Sequence, residues 1–329
     1  IDGIAAYDGA VKGLVFGQDS EPVQSGRVAT IQAIGGTGGL KVGADFLKRL
    51  KPEATVMISD PSWENHRALF TAAGFHVESY PYYDAAKRGV NFDGMLAALD
   101  NAQAGTVVVL HACCHNPTGY DISPDQWAQV VQVVKDRSLV AFLDMAYQGF
   151  GYGITQDGAA VQQFVTAGLS FFVATSFSKS FSLYGERVGA LSLLCTDKPE
   201  ADRVLSQLKT VIRTNYSNPP THGGATVATV LGTPELRELW EQELTEMRER
   251  IKATRQQLVD GLKNAGVEQD MGFITSQIGM FSYSGLSKDQ MVRLRNEYGV
   301  YGTDTGRMCV AAINSGNLAY VCKSIAAVL

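Results

Sequence analysis

Between residues 30 and 195, short apolar runs alternate with amphipathic stretches. Thr106–Leu110 (TVVVL), Leu139–Leu143 (LVAFL), Phe171–Thr175 (FFVAT) and Val188–Leu194 (VGALSLL) are β-branched or apolar almost throughout. A run without a polar face predicts a strand buried on both sides, as in a sheet flanked by helices. Pro124–Lys135 and Gly39–Leu50 are amphipathic and predict helices that pack on such a sheet. This alternation predicts an α/β layer fold with a mostly parallel sheet.

The texture changes at Pro234. From there to Leu262, the residues Leu236, Leu239, Trp240, Leu244, Met247, Ile251, Thr254 and Leu258 fall three or four apart. That spacing predicts one long surface helix with a single apolar stripe, opened by Pro234 and ending near Gly261 and Gly266. A smaller α/β stretch follows, with Gly279–Tyr283, a helix from Ser287 to Tyr298, and Arg307–Ala312. We expect two units, 1–246 and 247–329, divided within the long helix near Glu246.

Composition narrows the function. Of 329 residues 45% are hydrophobic and 19% charged, and 28 basic against 33 acidic residues give a net charge of −5. Disorder needs the opposite balance, and a nucleic-acid binder would usually carry a basic patch. No run approaches the roughly 18 uncharged apolar residues of a membrane helix. The five cysteines, Cys113, Cys114, Cys195, Cys309 and Cys322, are odd in number with two adjacent. They outline no disulfide framework, which points to a reducing compartment and hence the cytoplasm. The opening segment IDGIAAYDGA reads like the middle of a protein, so an N-terminal segment is expected to precede it.

Chemistry-bearing residues gather where strands are expected to stop. Gly35-Gly36-Thr37-Gly38-Gly39 stands before the helix Leu40–Leu50, where backbone N–H groups and the positive helix end can meet an anion. Its spacing is neither that of a P-loop nor of a dinucleotide fingerprint, and a tight turn alone would also explain it. After the strand at 171–175 come Ser176, Ser178, Lys179 and Arg187. A lysine among apolar residues loses proton affinity and becomes an imine-forming nucleophile. Asp144 and Tyr147 close another strand, His111 through Gly119 (HACCHNPTG) a third, and Ser59 through His66 (SDPSWENH) a fourth.

Two other readings of these residues are weaker. Adjacent Cys113 and Cys114 with His111 and His115 lack metal-ligand spacing, so core thiols and hydrogen-bonded histidines are expected and no metal. No GxSxG elbow supports a serine hydrolase. The sequon at Asn215-Tyr216-Ser217 is idle in a cytoplasmic chain. An acid, a lysine, an anion-binding turn and a stacking aromatic together fit a pyridoxal phosphate site better.

Seven segments carry a resemblance: GGTGGLKVGADFLKR, SDPSWENH, HACCHNPTG, FLDMAYQGF, TSFSKSFSLYGERVGAL, RTNYSNPP and GRMCVA. In this order, covering almost the whole chain, the sequence resembles the fold-type I, class I aminotransferases, with the aspartate and aromatic amino acid subgroup nearest. FSLYGERVGAL and GRMCVA side with the aromatic (tyrosine) enzymes. The resemblance implies pyridoxal 5′-phosphate, with Lys179 forming the imine and shuttling the proton. It implies Asp144 on the pyridine nitrogen with His66 behind it, Tyr147 and Asn116 on the phenolic oxygen, and Trp63 on the ring face. Gly36, Thr37, Ser176, Ser178 and Arg187 would hold the phosphate. Arg307 would clamp the substrate α-carboxylate, where lysine could not replace the two-pronged bond. Arg213 would reach a distal carboxylate in the neighbouring subunit's site, which implies a homodimer. Substrates would be amino acids and 2-oxo acids: tyrosine, phenylalanine and aspartate with 2-oxoglutarate, or in the alternative aspartate chiefly. A lyase or decarboxylase on the same scaffold and a cofactor-free regulatory protein are the rivals. In the family a tyrosine just upstream of the IDG segment reaches across the dimer to the phosphate. The chain starts after that position, at Ile1, and is expected to be a trimmed or partial form with a large cofactor domain and the C-terminal part of a small one.

Overall fold

A computed structural model describes residues 1–329. Seven strands form one sheet: β1 (Val28–Ile34), β2 (Thr55–Asp60), β3 (His76–Pro81), β4 (Val107–His111), β5 (Val140–Met145), β6 (Phe171–Ser176) and β7 (Val188–Leu194). Their order is β1-β7-β6-β5-β4-β2-β3. β7 runs antiparallel to both its neighbours, while all other pairs are parallel. The sheet is therefore mostly parallel, as the apolar runs predict. Every residue of β6 and β7 is buried, which is why these strands read as apolar without alternation.

The pleat distributes side chains to two cores. On β4, Val108 and Leu110 join one apolar cluster and Val107 and Val109 the other. On β5, Leu143 and Phe142 separate the same way. The helices Gly35–Leu50 and Lys198–Asn215 cover the second face with Leu40, Phe46, Leu208 and Ile212. Pro124–Asp136 and Ala159–Thr166 cover the first with Trp127, Val130, Val134 and Phe164. The helix at 124 starts on a capping box between Ser123 and Gln126, worth about 1 kcal/mol.

The glycine-rich segment departs from expectation. It is not a turn before the helix but its first turn, since the helix begins at Gly35. Contact decides this against propensity. A Cβ on Gly39 would stand 2.7 Å from the Ala190 carbonyl oxygen, so only glycine lets the helix lie flush on β7.

The helix Pro234–Asn264 spans 31 residues. Trp240, Leu244 and Ile251 join the first sheet core, whereas Leu258 and Leu262 join a separate cluster of 13 residues. That cluster also takes Met291 and Leu294 of the helix Lys288–Tyr298 and Ile325 of the helix Leu318–Val328. Ser287 caps the first of these rather than starting it. Two short strands, β8 (Phe281–Tyr283) and β9 (Arg307–Cys309), pair antiparallel beside this cluster. The expected stripe needs correction: Leu236 and Leu239 are exposed, and Arg255 is buried. No helix is long and apolar enough to cross a membrane.

Candidate active site

The parallel strands all end at one edge of the sheet, and antiparallel β7 begins there. Open α/β sheets place ligands at this edge. A cavity of about 240 Å³ lies against it. Gly36, Thr37, Trp63, Asn116, Asp144, Tyr147, Ser176, Ser178, Lys179 and Arg187 line it, joined by Leu40, His111, Ala146 and Tyr184.

One wall is built to receive an anion. No side chain caps the helix that starts at Gly35, so the positive end of its dipole faces the cavity at Gly36 and Thr37. Gly35 has φ +77°, and a Cβ there would lie 2.4 Å from Arg187 Nη2. Arg187 Nη1 donates to the Tyr184 carbonyl at 2.9 Å and the Ser178 hydroxyl at 3.5 Å. Ser176 Oγ accepts from the Ser178 N–H at 3.3 Å.

Another part of the lining holds the one acid of the cavity. Asp144 Oδ2 lies 2.7 Å from His66 Nε2, and His66 Nδ1 lies 2.9 Å from Ser62 Oγ. His66 is fully buried, and Trp63 stands edge-on to its ring at 5.3 Å. Burial alone would raise the Asp144 carboxyl. The His66 hydrogen bond and charge, with help from Lys179, outweigh burial and hold the carboxyl below its ordinary range. His111, 4.9 Å from His66, has no partner for either ring nitrogen. Burial first, then His66, push it down to about 3, so it is neutral.

Lys179 Nζ sits 4.8 Å from the centroid of the Tyr147 ring. Burial lowers its pKa and Arg187 adds to this, against the opposing pull of Asp144. Burial pushes the Tyr147 phenol well up. Asn116 Nδ2 donates to Tyr147 Oη at 3.4 Å, and Asn116 Oδ1 accepts from Arg307 Nη1 at 2.8 Å. Arg307 lies over the Phe281 ring at 4.7 Å.

Arg213 is not brought to this cavity. It is exposed near the end of the helix Lys198–Asn215 and donates to Ser217 Oγ. Cys113 and Cys114 are buried free thiols, and His115 is bonded to Ser59 and Thr118. Cys113 and Cys114 do come within ligating reach of Asp157. That carboxylate, however, already accepts the N–H groups of Gly149, Gly151 and Tyr152. Sequence reasoning did not single out Tyr184, His111 or Phe281 as site residues. Tyr184 and His111 stood inside quoted motifs, which was the available signal.

Lys179, Arg187 and Arg307 form no ion pair with any carboxylate of the chain. Three cations around one histidine-bonded acid call for an anionic ligand. With the uncapped helix end and a glycine cradle that a Cβ would fill, the donor set fits pyridoxal phosphate. An α/β sheet with an amine, an ionised carboxylate and an anion cradle at its carboxyl edge defines a pyridoxal-phosphate-dependent enzyme.

Residues 1–325 match the model of aminotransferase class I and II. An aspartate aminotransferase of Pseudomonas aeruginosa is 61% identical over all of this chain and 83% of its own length. The aromatic-amino-acid aminotransferase of Escherichia coli is 51% identical with the same coverage. The crystal structure of an aromatic-amino-acid aminotransferase from Burkholderia pseudomallei, covalently bound to pyridoxal phosphate, superposes with a TM-score of 0.98. It is 66% identical, over 100% of this chain and 82% of that one. The chain belongs to the class I and II aminotransferases and is a pyridoxal-phosphate-dependent aminotransferase of amino and 2-oxo acids.

Proposed function

We propose that the chain passes the amino group of tyrosine or phenylalanine, and of aspartate, to 2-oxoglutarate in two alternating half-reactions. The observation that carries this is Arg307. Its guanidinium has no acid of its own, yet it is tied to Asn116 in the wall of the cavity that holds Lys179. A substrate α-carboxylate would complete it by a two-pronged bond. Trp63, Tyr147 and Tyr184 give the cavity aromatic walls suited to a ring.

When bound, pyridoxal phosphate supplies an aldehyde carbon for the amino group and a ring that withdraws electrons. Gly36, Thr37, Ser176, Ser178 and Arg187 would hold its phosphate, and Trp63 would stack on its ring. Asp144, kept ionised through His66, would pair with the protonated ring nitrogen. Tyr147 and Asn116 would bond its phenolic oxygen. Lys179 would bond its aldehyde carbon and, once freed, move the proton from the substrate Cα. Its lowered pKa favours both tasks, because only the neutral amine attacks or accepts a proton.

Arg213, exposed and outside its own chain's cavity, is suited to reach a distal carboxylate in the cavity of a second copy, so we propose a homodimer with shared sites. Free cysteines without a pair support a cytoplasmic place. A division into units 1–246 and 247–329 is supported by the change of packing partners between Ile251 and Leu258, just beyond Glu246. The second reading, aspartate aminotransferase, is favoured by the name of the 61% identical relative. Rates with tyrosine, phenylalanine and aspartate against 2-oxoglutarate decide between them. Comparable turnover supports the broad reading, and strict preference for aspartate removes the aromatic one.

A further inference from the structure

Arg255 is the largest fully buried side chain of the molecule. A buried charge ordinarily has a counter-ion, but no carboxylate pairs with this one. Its Nη2 donates instead to the carbonyls of Gly279 at 2.8 Å and Phe281 at 2.5 Å, and its Nη1 to that of Ile274 at 3.3 Å. All three acceptors belong to one short segment, 274–281, which runs from a 3₁₀ turn (Gly272–Ser276) through a loop to the first residue of β8. The rigid fork of a guanidinium can span them, and an ammonium cannot.

What this segment touches gives the arginine a second meaning. The Ile278 N–H donates to the Gly119 carbonyl at 2.8 Å, and a Cβ on Gly279 would stand 2.8 Å from that of Cys114. These contacts fall on the stretch 114–119 that carries Asn116. On the other side the Val310 N–H donates to the Met280 carbonyl at 2.9 Å, and Phe281 opens β8, which pairs with the strand carrying Arg307. The Phe281 ring then lies under Arg307 at 4.7 Å and edge-on to Tyr147 at 6.1 Å. The segment therefore joins the two halves of the Arg307–Asn116 pair, and Arg255 is what grips it from the helix Pro234–Asn264.

We infer that Arg255 is a positioning residue for carboxylate recognition. It fixes the backbone of Gly279 and Phe281, so that the Phe281 ring holds the Arg307 guanidinium in the orientation that Asn116 accepts. This rests on the proposed role of Arg307. A core residue of similar volume would fill the space as well but leave the three carbonyls unpaired and the ring free to shift. A misplacement on the order of 1 Å at a clamp is enough to weaken it severely.

The test compares Arg255→Lys and Arg255→Met in the holoprotein, each with Phe281 intact and with Phe281→Leu. Calorimetry reads the dissociation constant of 3-phenylpropionate, a carboxylate with no amino group, and steady-state assays read KM and kcat for tyrosine. We expect both variants to raise the dissociation constant and KM about tenfold, with kcat and the cofactor absorbance nearly unchanged. The effect should vanish in the Phe281→Leu background, the signature of action through one partner. An unchanged dissociation constant overturns the inference, as does the same tenfold loss without Phe281, or a fall confined to kcat and cofactor retention. If the methionine variant does not fold, the lysine variant decides, and if neither folds Arg255 is a scaffold residue only. Should the wild-type protein bind the carboxylate yet fail to transaminate, the proposed function fails, while the comparison of binding constants still judges Arg255.

Discussion

Gly35→Ala tests the phosphate cradle with a single methyl group. Gly35 has φ +77°, a conformation that costs an alanine roughly 1–2 kcal/mol. In a chain of this size that strain lowers Tm by about 1–3 °C, so the fold survives. The new Cβ would stand 2.4 Å from Arg187 Nη2 and 2.9 Å from its Cζ. Ordinary contact begins near ~3.5 Å, so the guanidinium must retreat by about 1 Å. Its hydrogen bonds to the Tyr184 carbonyl and Ser178 hydroxyl then fail with it. Losing one charged hydrogen bond to phosphate costs about 1.5–3 kcal/mol, a rise of roughly 10–100-fold in the cofactor's dissociation constant. The assay is titration of apoprotein with pyridoxal phosphate, read by absorbance, beside a thermal melt. Gly185→Ala is the control, because its Cβ meets nothing within 4 Å. Unchanged cofactor affinity in Gly35→Ala, or an equal loss in the control, would refute the assignment of this wall.

Three further outcomes follow from the same geometry. Asp144→Ala removes the only acid lining the cavity. A contact charge pair at an effective dielectric near 20 is worth about 4 kcal/mol, so kcat/KM should fall about a thousandfold with the fold intact. Stopped-flow half-reactions check this, and a loss below tenfold contradicts it. Arg307→Lys keeps the charge but not the fork, so KM for amino acids should rise about 10–100-fold with a smaller change in kcat, and an unchanged KM removes Arg307 from the carboxylate site. His111 is pushed down to about 3 in the folded chain, against about 6.5 when unfolded. The unfolded chain therefore binds the extra proton, and the stability tied to neutral His111 is lost as pH falls from about 6.5 towards 3. His111→Gln should gain in Tm relative to wild type between pH 7.5 and pH 5, and a constant difference contradicts the buried neutral imidazole.

The strand ends that carry chemistry were legible because the strands themselves are buried on both faces. β5, β6 and β7 announced themselves as apolar runs, and Asp144, Ser176 and Arg187 follow from their ends. β1 and β3 were harder to see: Thr30 and Gln32 interrupt the one, and four of the six residues of the other are exposed. Helix propensity misplaced the start of the helix at Gly35, since five glycines in 35–43 read as a turn until their contact with β7 and Phe142 is known. Periodicity put Leu236 and Leu239 in the apolar stripe, although nothing in this chain covers them. It also gave no sign of Arg255, because a buried arginine bonded only to carbonyls leaves no pattern in sequence. Arg213 was legible only through its motif, since it is exposed and does not line the cavity of its own chain.

Borohydride reduction of the protein purified with its cofactor, followed by peptide mass spectrometry, addresses the central claim most directly. Lys179 is the only lysine lining the cavity, and it should carry the reduced pyridoxal phosphate adduct. Prior addition of excess tyrosine should abolish the adduct with release of the matching 2-oxo acid. An adduct on another lysine, or one on Lys179 that tyrosine does not discharge, would contradict the assignment.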